Sequence, residues 1–269
     1  MKLPNRLAAT TSSYGPYTLE EALAGIAASG YRYVELAAIR GVIEHVPLDA
    51  DGTTLARVQR LLNRYALIPS ALSAHSNLAV ARGLKDAFRA LDLCERMGIP
   101  IMNTAVGGPG EGEEDEAGFL RRIGGLADHA AARDITITLE IHGELTATGR
   151  KARALVKKVN RPNVRVNYDT ANCEYFGAVR AQDDLPDVLP WIGLSHLKDK
   201  IGGHRVWNFP ALGKGHVDFH KCLRLLRRGC YTGPFSVEVE FTGHPWPPLA
   251  AVNRAMKASY KYLNRLGLS

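Results

Sequence analysis

The sequence predicts an α/β protein, a (β/α)8 TIM barrel built as a single domain over residues 1–269. Three observations predict it. Short strand-like apolar runs alternate with longer segments of helical period along the whole 269-residue chain. Several of those runs are apolar on both faces, as strands of a buried parallel sheet are. No Pro/Gly/Ser-rich linker divides the chain, and eight βα units of about 34 residues fit the usual size of this barrel.

The eight strand segments read, in order, RLAATTS, YRYVELA, IPSALSAH, IPIMNTAVG, ITITLEIHG, VRVNYDTA, IGLSHLKD and FSVEVEF. The first helix, YTLEEALAGIAASG, carries its own punctuation: Thr18 as N-cap, Glu21 three residues on as a capping box, and Gly30 as the stop. TTLARVQRLLNRYA, GLKDAFRALDLCERMG, DEAGFLRRIGGLADHAAARD, RKARALVKKVN, DFHKCLRLLRRGC and AAVNRAMKASYKYLNRLG repeat apolar residues at helical spacing. Between strands six and seven the helical signal is weak, because DDLPDVLPW holds two prolines. An open doubly wound sheet is the alternative, but it wants a Gly-rich loop after strand one, and TTSSYG is not one.

Composition narrows the function classes. With 46% hydrophobic and 23% charged residues the chain can build a globular core, and no uninterrupted apolar run reaches the length of a membrane span. The N-terminal MKLPNRLAATTSSYG lacks the apolar run of a secretion signal. Cys94, Cys173, Cys222 and Cys230 show no metal-binding spacing, which favours reduced thiols and a cytoplasmic protein. The net charge of +7 permits nucleic-acid binding, yet the basic residues are scattered along amphipathic helices as ordinary solvated faces.

Strand ends carry the chemistry. In a barrel all C-terminal strand ends share one mouth. Here they bring Glu35, His75, Asn103, Glu140 with His142 and Glu144 beyond it, Asp169 with Asn172 after it, His196 with Lys198 and Asp199, and finally Glu238 and Glu240. Any one of these is readily a cap or a satisfied polar contact. Strands five to eight in succession, however, supply Glu, Asp, His and Glu. Three carboxylates at one mouth repel one another unless a cation neutralises them. Three carboxylates and one imidazole form a mostly hard donor set, suited to one Mn2+ or Mg2+ ion, with Co2+ or Zn2+ as further options. Asp169 is therefore read as a metal ligand rather than a cap.

The stretches TLEIHGE, VNYDTAN, LSHLKD, GKGHVDF and CYTGPFSVEVE resemble the xylose-isomerase-like superfamily of sugar and sugar-phosphate isomerases and epimerases. The resemblance covers nearly the whole chain and is most specific from Leu139 to Glu240. It implies one divalent metal held by Glu140, Asp169, His196 and Glu238. Glu240 competes for the last place, but Glu238 falls five residues after Gly233, as in the family's arrangement. The resemblance also implies substrate-binding roles for Glu144, Lys198 and Arg205, and His75 and His142 are further candidates at the mouth. Many epimerase members have a His three residues after the strand-six Asp. This chain has Asn172, which hydrogen-bonds a hydroxyl but does not titrate near neutral pH.

What the resemblance implies chemically is a hydroxy-carbonyl sugar or sugar derivative deprotonated next to its carbonyl, through a metal-stabilised enediolate, with Glu140 and Glu238 as the acid–base pair. Returning the proton to the other face is epimerisation. Returning it to the neighbouring carbon is aldose–ketose isomerisation. Expelling a leaving group is the β-elimination of sugar or inosose dehydratases and keto-glycoside lyases. Trp207 and Trp246, in the loops after strands seven and eight, are candidates for stacking on a sugar. A nuclease of the apurinic-site endonuclease branch needs further histidines that strand four (NTAVGG) and position 172 do not supply. A non-catalytic subunit is the remaining alternative. A homodimer or homotetramer is implied by the family, with AMKASYKYLNRLGLS as a candidate contact face.

Overall fold

The computed structural model describes residues 6–78, 80–107, 115–242 and 245–268. The extreme ends of the expected 1–269 domain therefore lie outside the described residues. Eight parallel strands close on themselves: β1 (Leu7–Thr10), β2 (Tyr33–Ile39), β4 (Ile68–Ser73), β5 (Ile101–Thr104), β6 (Thr136–Glu140), β7 (Val164–Asp169), β8 (Ile192–Leu197) and β9 (Phe235–Val237). They neighbour one another in sequence order, and β1 pairs with both β2 and β9, so the sheet is a barrel without an edge. The two-residue strand β3 (Ile43–Glu44) lies outside the barrel ring and folds back antiparallel on β2 as a hairpin at the mouth.

Helices α1 (Leu19–Ser29), α2 (Gly52–Arg64), α3 (Ala81–Met97), α4 (Glu116–Ala131), α5 (Gly149–Val159), α8 (Phe219–Arg228) and α9 (Leu249–Arg265) follow the predicted segments. The capping box is formed as read: Thr18 accepts from Glu21 N, Glu21 accepts from Thr18 N, and Gly30 takes the left-handed conformation with φ 109°. Asn160 ends α5 in the same left-handed way, with Lys157 and Lys158 in its last turn against the helix dipole. Pro186 and Pro190 break the segment between β7 and β8 into the short helix α7 (Ala181–Asp184) and two 3-10 turns. A short helix not foreseen, α6 (Asn172–Gly177), starts directly after β7.

Two apolar regions result. The main core fills the layer between barrel and helices, with Val164, Val166 and Tyr168 as typical outward-facing contributors. Inside the barrel Ala71, Ile101 and Leu194 form a small separate plug. Strand alternation then directs Ser73, Asn103 and His196, each two residues further on, to the same interior side, one step nearer the mouth. The polar floor of the mouth thus rests on a dry base.

The long loop after β8 is organised around Asp199. Its buried carboxylate accepts from the backbone N–H groups of Lys200, Gly213, Gly215 and Val217, at 2.8–3.1 Å. A Cβ at position 215 would sit 2.3 Å from Asp199 Oδ1, so the second glycine of Gly213-Lys214-Gly215 is required by close approach. Lys200, also buried, donates to the carbonyls of Ile201, Gly202 and Val206. Replacing Asp199 by Ala leaves four backbone donors without their acceptor and is expected to cost about 3 kcal/mol. Urea denaturation measures this, and a change below about 0.5 kcal/mol would show that the loop does not depend on the carboxylate.

Candidate metal and sugar site

Glu140 ends β6, Asp169 ends β7, His196 lies in β8, and Glu238 stands one residue beyond β9. Each offers one ligand atom, and those atoms lie within 4.8 Å of one another. All four residues are buried. Register explains the convergence: Asp169 pairs with His196 across β7 and β8, and Glu140 pairs with Asn167, which shares its strand face with Asp169.

Asp169 divides its labour between the two roles its position offers. Oδ1 accepts from the amides of Ala171 and Asn172, at 2.8 Å each, and so caps the turn into α6. Oδ2 is buried without a hydrogen-bond partner and lies 3.9 Å from His196 Nδ1. Burial pushes Asp169 up to about 6, a rise that Lys198 opposes and Glu140 and Glu238 reinforce.

His196 is oriented by Glu35, a buried residue in the middle of β2. Its Nε2 donates to Glu35 Oε2 at 2.9 Å. A carboxylate only accepts, so Nε2 carries the hydrogen. Nδ1 is thereby turned toward Glu140 (3.5 Å) and Glu238 (3.6 Å), and it too is buried without a hydrogen-bond partner. The sequence places Glu35 at the mouth but does not mark its pairing with His196. Its role arises from β2 standing across the barrel from β8.

Glu140 is held on both oxygens. Oε2 accepts from His75 Nε2 (3.0 Å), Asn103 Nδ2 (2.8 Å) and Asn167 Nδ2 (3.1 Å), and Oε1 accepts from Asn172 Nδ2 (3.2 Å). Burial opposes its charge, but His196 and His75 outweigh it and hold its pKa well below the carboxylate range. Lys198 does the same for Glu238. Its Nζ lies 3.1 Å from Glu238 Oε2, 2.5 Å from Glu240 and 3.4 Å from Asn172 Oδ1. Glu238 comes down to about 2 although burial works against it, chiefly through Lys198. Glu240, beyond the cluster, is raised to about 7 by burial. Geometry separates the two rivals: Glu238 reaches the ligand cluster, whereas Glu240 pairs with Lys198.

Above this floor opens a cavity of about 370 Å3. His75, His142, Asn172, Lys198, Glu140, Glu238 and Glu240 line its base, while Ile39, Val42, Ile43, Phe176, Trp207 and Trp246 line its outer wall. Burial brings His142 down to about 4, so it is a neutral hydrogen-bonding group. The structure does not bring Glu144 and Arg205 into this lining. They pair with each other on the surface, and the Arg205 guanidinium lies over the rings of Tyr175 and Phe176. Arg205 adopts φ 60°, a loop conformation that composition does not announce. Phe176 went unread because it sits on the unforeseen α6.

The family model for the xylose isomerase-like TIM barrel matches residues 23–264. The chain belongs to this family. Among xylose isomerase-like relatives, an L-ribulose 3-epimerase of Methylomonas sp. (strain DH-1) is 29% identical over 240 residues, covering 81% of this chain and 77% of that protein. An L-ribulose-5-phosphate 3-epimerase of Salmonella typhi is 25% identical over 198 residues, covering 69% of each. A xylose isomerase-like TIM barrel protein from Mycobacterium smegmatis, solved in complex with magnesium, superposes with TM-score 0.76 at 18% identity over 97% of both chains.

The donor set of this family member fits a divalent cation on its own evidence. Two buried polar atoms, Asp169 Oδ2 and His196 Nδ1, point into the cluster without hydrogen-bond partners. The cluster holds three carboxylates and one imidazole, with the Lys198 ammonium against Glu238. Elemental analysis of the purified protein is expected to find about one divalent ion per chain, and none in Asp169→Ala. Glu35→Ala, which frees the imidazole to turn, is expected to weaken metal affinity about 10- to 100-fold by isothermal titration. Equal metal content in Asp169→Ala and wild type would reduce Asp169 to a cap.

Proposed function

We propose that the chain is a divalent-metal-dependent sugar epimerase or isomerase that moves a proton next to a carbonyl. The observation that carries this reading is the placement of Glu140 and Glu238. They enter the same cavity from β6 and from just beyond β9, flanking the β7 and β8 residues, and both reach within 4 Å of His196 Nδ1. Two carboxylates on either side of a bound sugar allow one to remove a proton and the other to supply one to the opposite face. The relatives that act as 3-epimerases support the epimerase form of the reaction.

Glu140, Asp169, His196 and Glu238 would hold the ion. Mn2+ or Mg2+ suits so oxygen-rich a set, and when bound it supplies Lewis acidity at the substrate carbonyl. The remaining work belongs to the chain. His75, Asn103, Asn167 and Asn172 fix the Glu140 carboxylate and keep it ionised, as a base must be. Lys198 keeps Glu238 ionised and offers its ammonium to a substrate oxygen. His142 and Asn172 present neutral donors and acceptors to hydroxyls. Phe176, Trp207 and Trp246 cover the apolar face of the ring and exclude water.

β-Elimination on the same site is the second reading, with the ammonium of Lys198 beside Glu240 as proton source for a departing hydroxyl. Product analysis separates the two: epimers retain all atoms, whereas elimination releases water or an alcohol. The nuclease alternative gains no support, since the ligand group found among the described residues is a single set of four. A homodimer or homotetramer belongs to the proposal through the family resemblance, and light scattering tests it.

Incubation of free ketoses in deuterated water with Mn2+-loaded protein is expected to incorporate deuterium next to the carbonyl. Glu140→Gln and Glu238→Gln should each lower kcat by about 10²- to 10⁴-fold. Chelation should abolish exchange and Mn2+ or Mg2+ restore it. Exchange that survives in both glutamine variants would assign the proton transfer elsewhere.

A further inference from the structure

We infer that the substrate is an uncharged sugar and that the cavity discriminates against sugar phosphates. The inference rests on the epimerase reading above and narrows its substrate class. The two relatives do not decide the matter, since one is named for a free sugar and the other for its phosphate.

A phosphate monoester brings a charge of about −1.5 to −2 at neutral pH and three strong acceptor oxygens. A site that binds one supplies arginine or lysine donors, or the free amides of a helix N-terminus. Among the described lining residues, the arginine and lysine cations are Arg40 and Lys198, and His75 gives its Nε2 to Glu140. The charge of Arg40 and that of Lys198 are each already offset by more than one carboxylate. Arg40 is paired with Asp49 at 2.7 Å and with Asp86 at 3.4 Å. Lys198 is buried against Glu238 and Glu240, with Asp169 at 3.9 Å. The amides at the start of α6, beside the ligand cluster, are occupied by Asp169 Oδ1.

Nearby cations are spent elsewhere. Lys200 gives its donors to three backbone carbonyls, and Arg205, stacked on the Phe176 wall, is paired with Glu144.

The far end of the ligand instead meets apolar wall. Val42, at the tip of the hairpin between β2 and β3, is 75% exposed, and Trp207 is 44% exposed. Together with Ile39, Ile43, Phe176 and Trp246 they offer surface for the C–H face of a sugar, and the neutral side chains of Ser12, Ser76 and Asn77 in the same lining bring no charge to meet a dianion. The wall thus suits hydroxyls or an uncharged substituent.

The test compares Mn2+-loaded wild-type protein on L-ribulose and D-fructose with L-ribulose 5-phosphate and D-fructose 6-phosphate, reading kcat/KM from deuterium incorporation and epimer formation. The free sugars are expected to lead their phosphates by about a hundredfold, as like charge brought against the carboxylates of the site without a free cation disfavours the phosphate. Arg205→Ala should leave that ratio unchanged. A phosphate ester turned over as well as its free sugar overturns the inference, and so does a selective loss of phosphate turnover in Arg205→Ala. Exchange from neither class, with the metal bound, removes the epimerase reading itself and this inference with it.

Discussion

The mouth of this barrel is governed by an excess of buried negative charge. Glu140, Asp169 and Glu238 converge within a few ångströms, with Glu35 and Glu240 one residue further out. Bare carboxylates so close would protonate or push the strands apart. The neighbouring residues read as answers to that problem. His75 and three asparagines donate to Glu140, backbone amides donate to one oxygen of Asp169, and the Lys198 ammonium is set between Glu238 and Glu240. Among the buried polar atoms these donors leave without a hydrogen bond are one oxygen of Asp169 and one nitrogen of His196, both directed into the cluster. A divalent ion is the complement of that remainder in charge and in donor type.

That electrostatic centre tolerates little movement, and the fold supplies the rigidity. Its ligands stand on strand ends rather than on long loops, above a dry interior plug of Ala71, Ile101 and Leu194. The mobile-looking part of the chain by composition, the glycine-rich stretch after β8, is tied down by a second buried carboxylate, Asp199, through four backbone amides. This loop carries Trp207 and Phe209, and Lys198 Nζ lies 4.3 Å from the Phe209 ring centroid. Packing of the cavity wall and pairing of the floor are therefore one connected arrangement.

Much of this was legible in the sequence because barrel geometry turns strand ends into a single place. Once Glu140, Asp169, His196 and Glu238 are each assigned to a strand end, their meeting requires no further information. The alternation of apolar runs and the Thr18–Glu21 capping box gave element positions by the same local logic. Legibility ended where partners come from across the barrel or from irregular backbone. Glu35, read only as a strand-two mouth residue, lies 161 residues from His196 in sequence, and nothing local marks their pairing. The family resemblance implied substrate-binding roles for Arg205 and Glu144, yet the two form a surface pair outside the cavity lining, with Arg205 in a left-handed turn. Helix α6 is six residues long, too short for periodicity to reveal, and with it Phe176 escaped notice.

Asn172 shows how one departure from a family pattern is absorbed. Where many epimerases of the family place a titrating imidazole, this chain has an amide that donates to Glu140 Oε1 and accepts from Lys198 Nζ. An amide makes both bonds at any pH, since it does not titrate. It thus links the residue that fixes one face of the cavity to the cation that fixes the other. Histidine at this position would have offered a third titrating group. Asparagine offers connection instead, and it makes the two carboxylates electrostatically dependent on each other through Lys198.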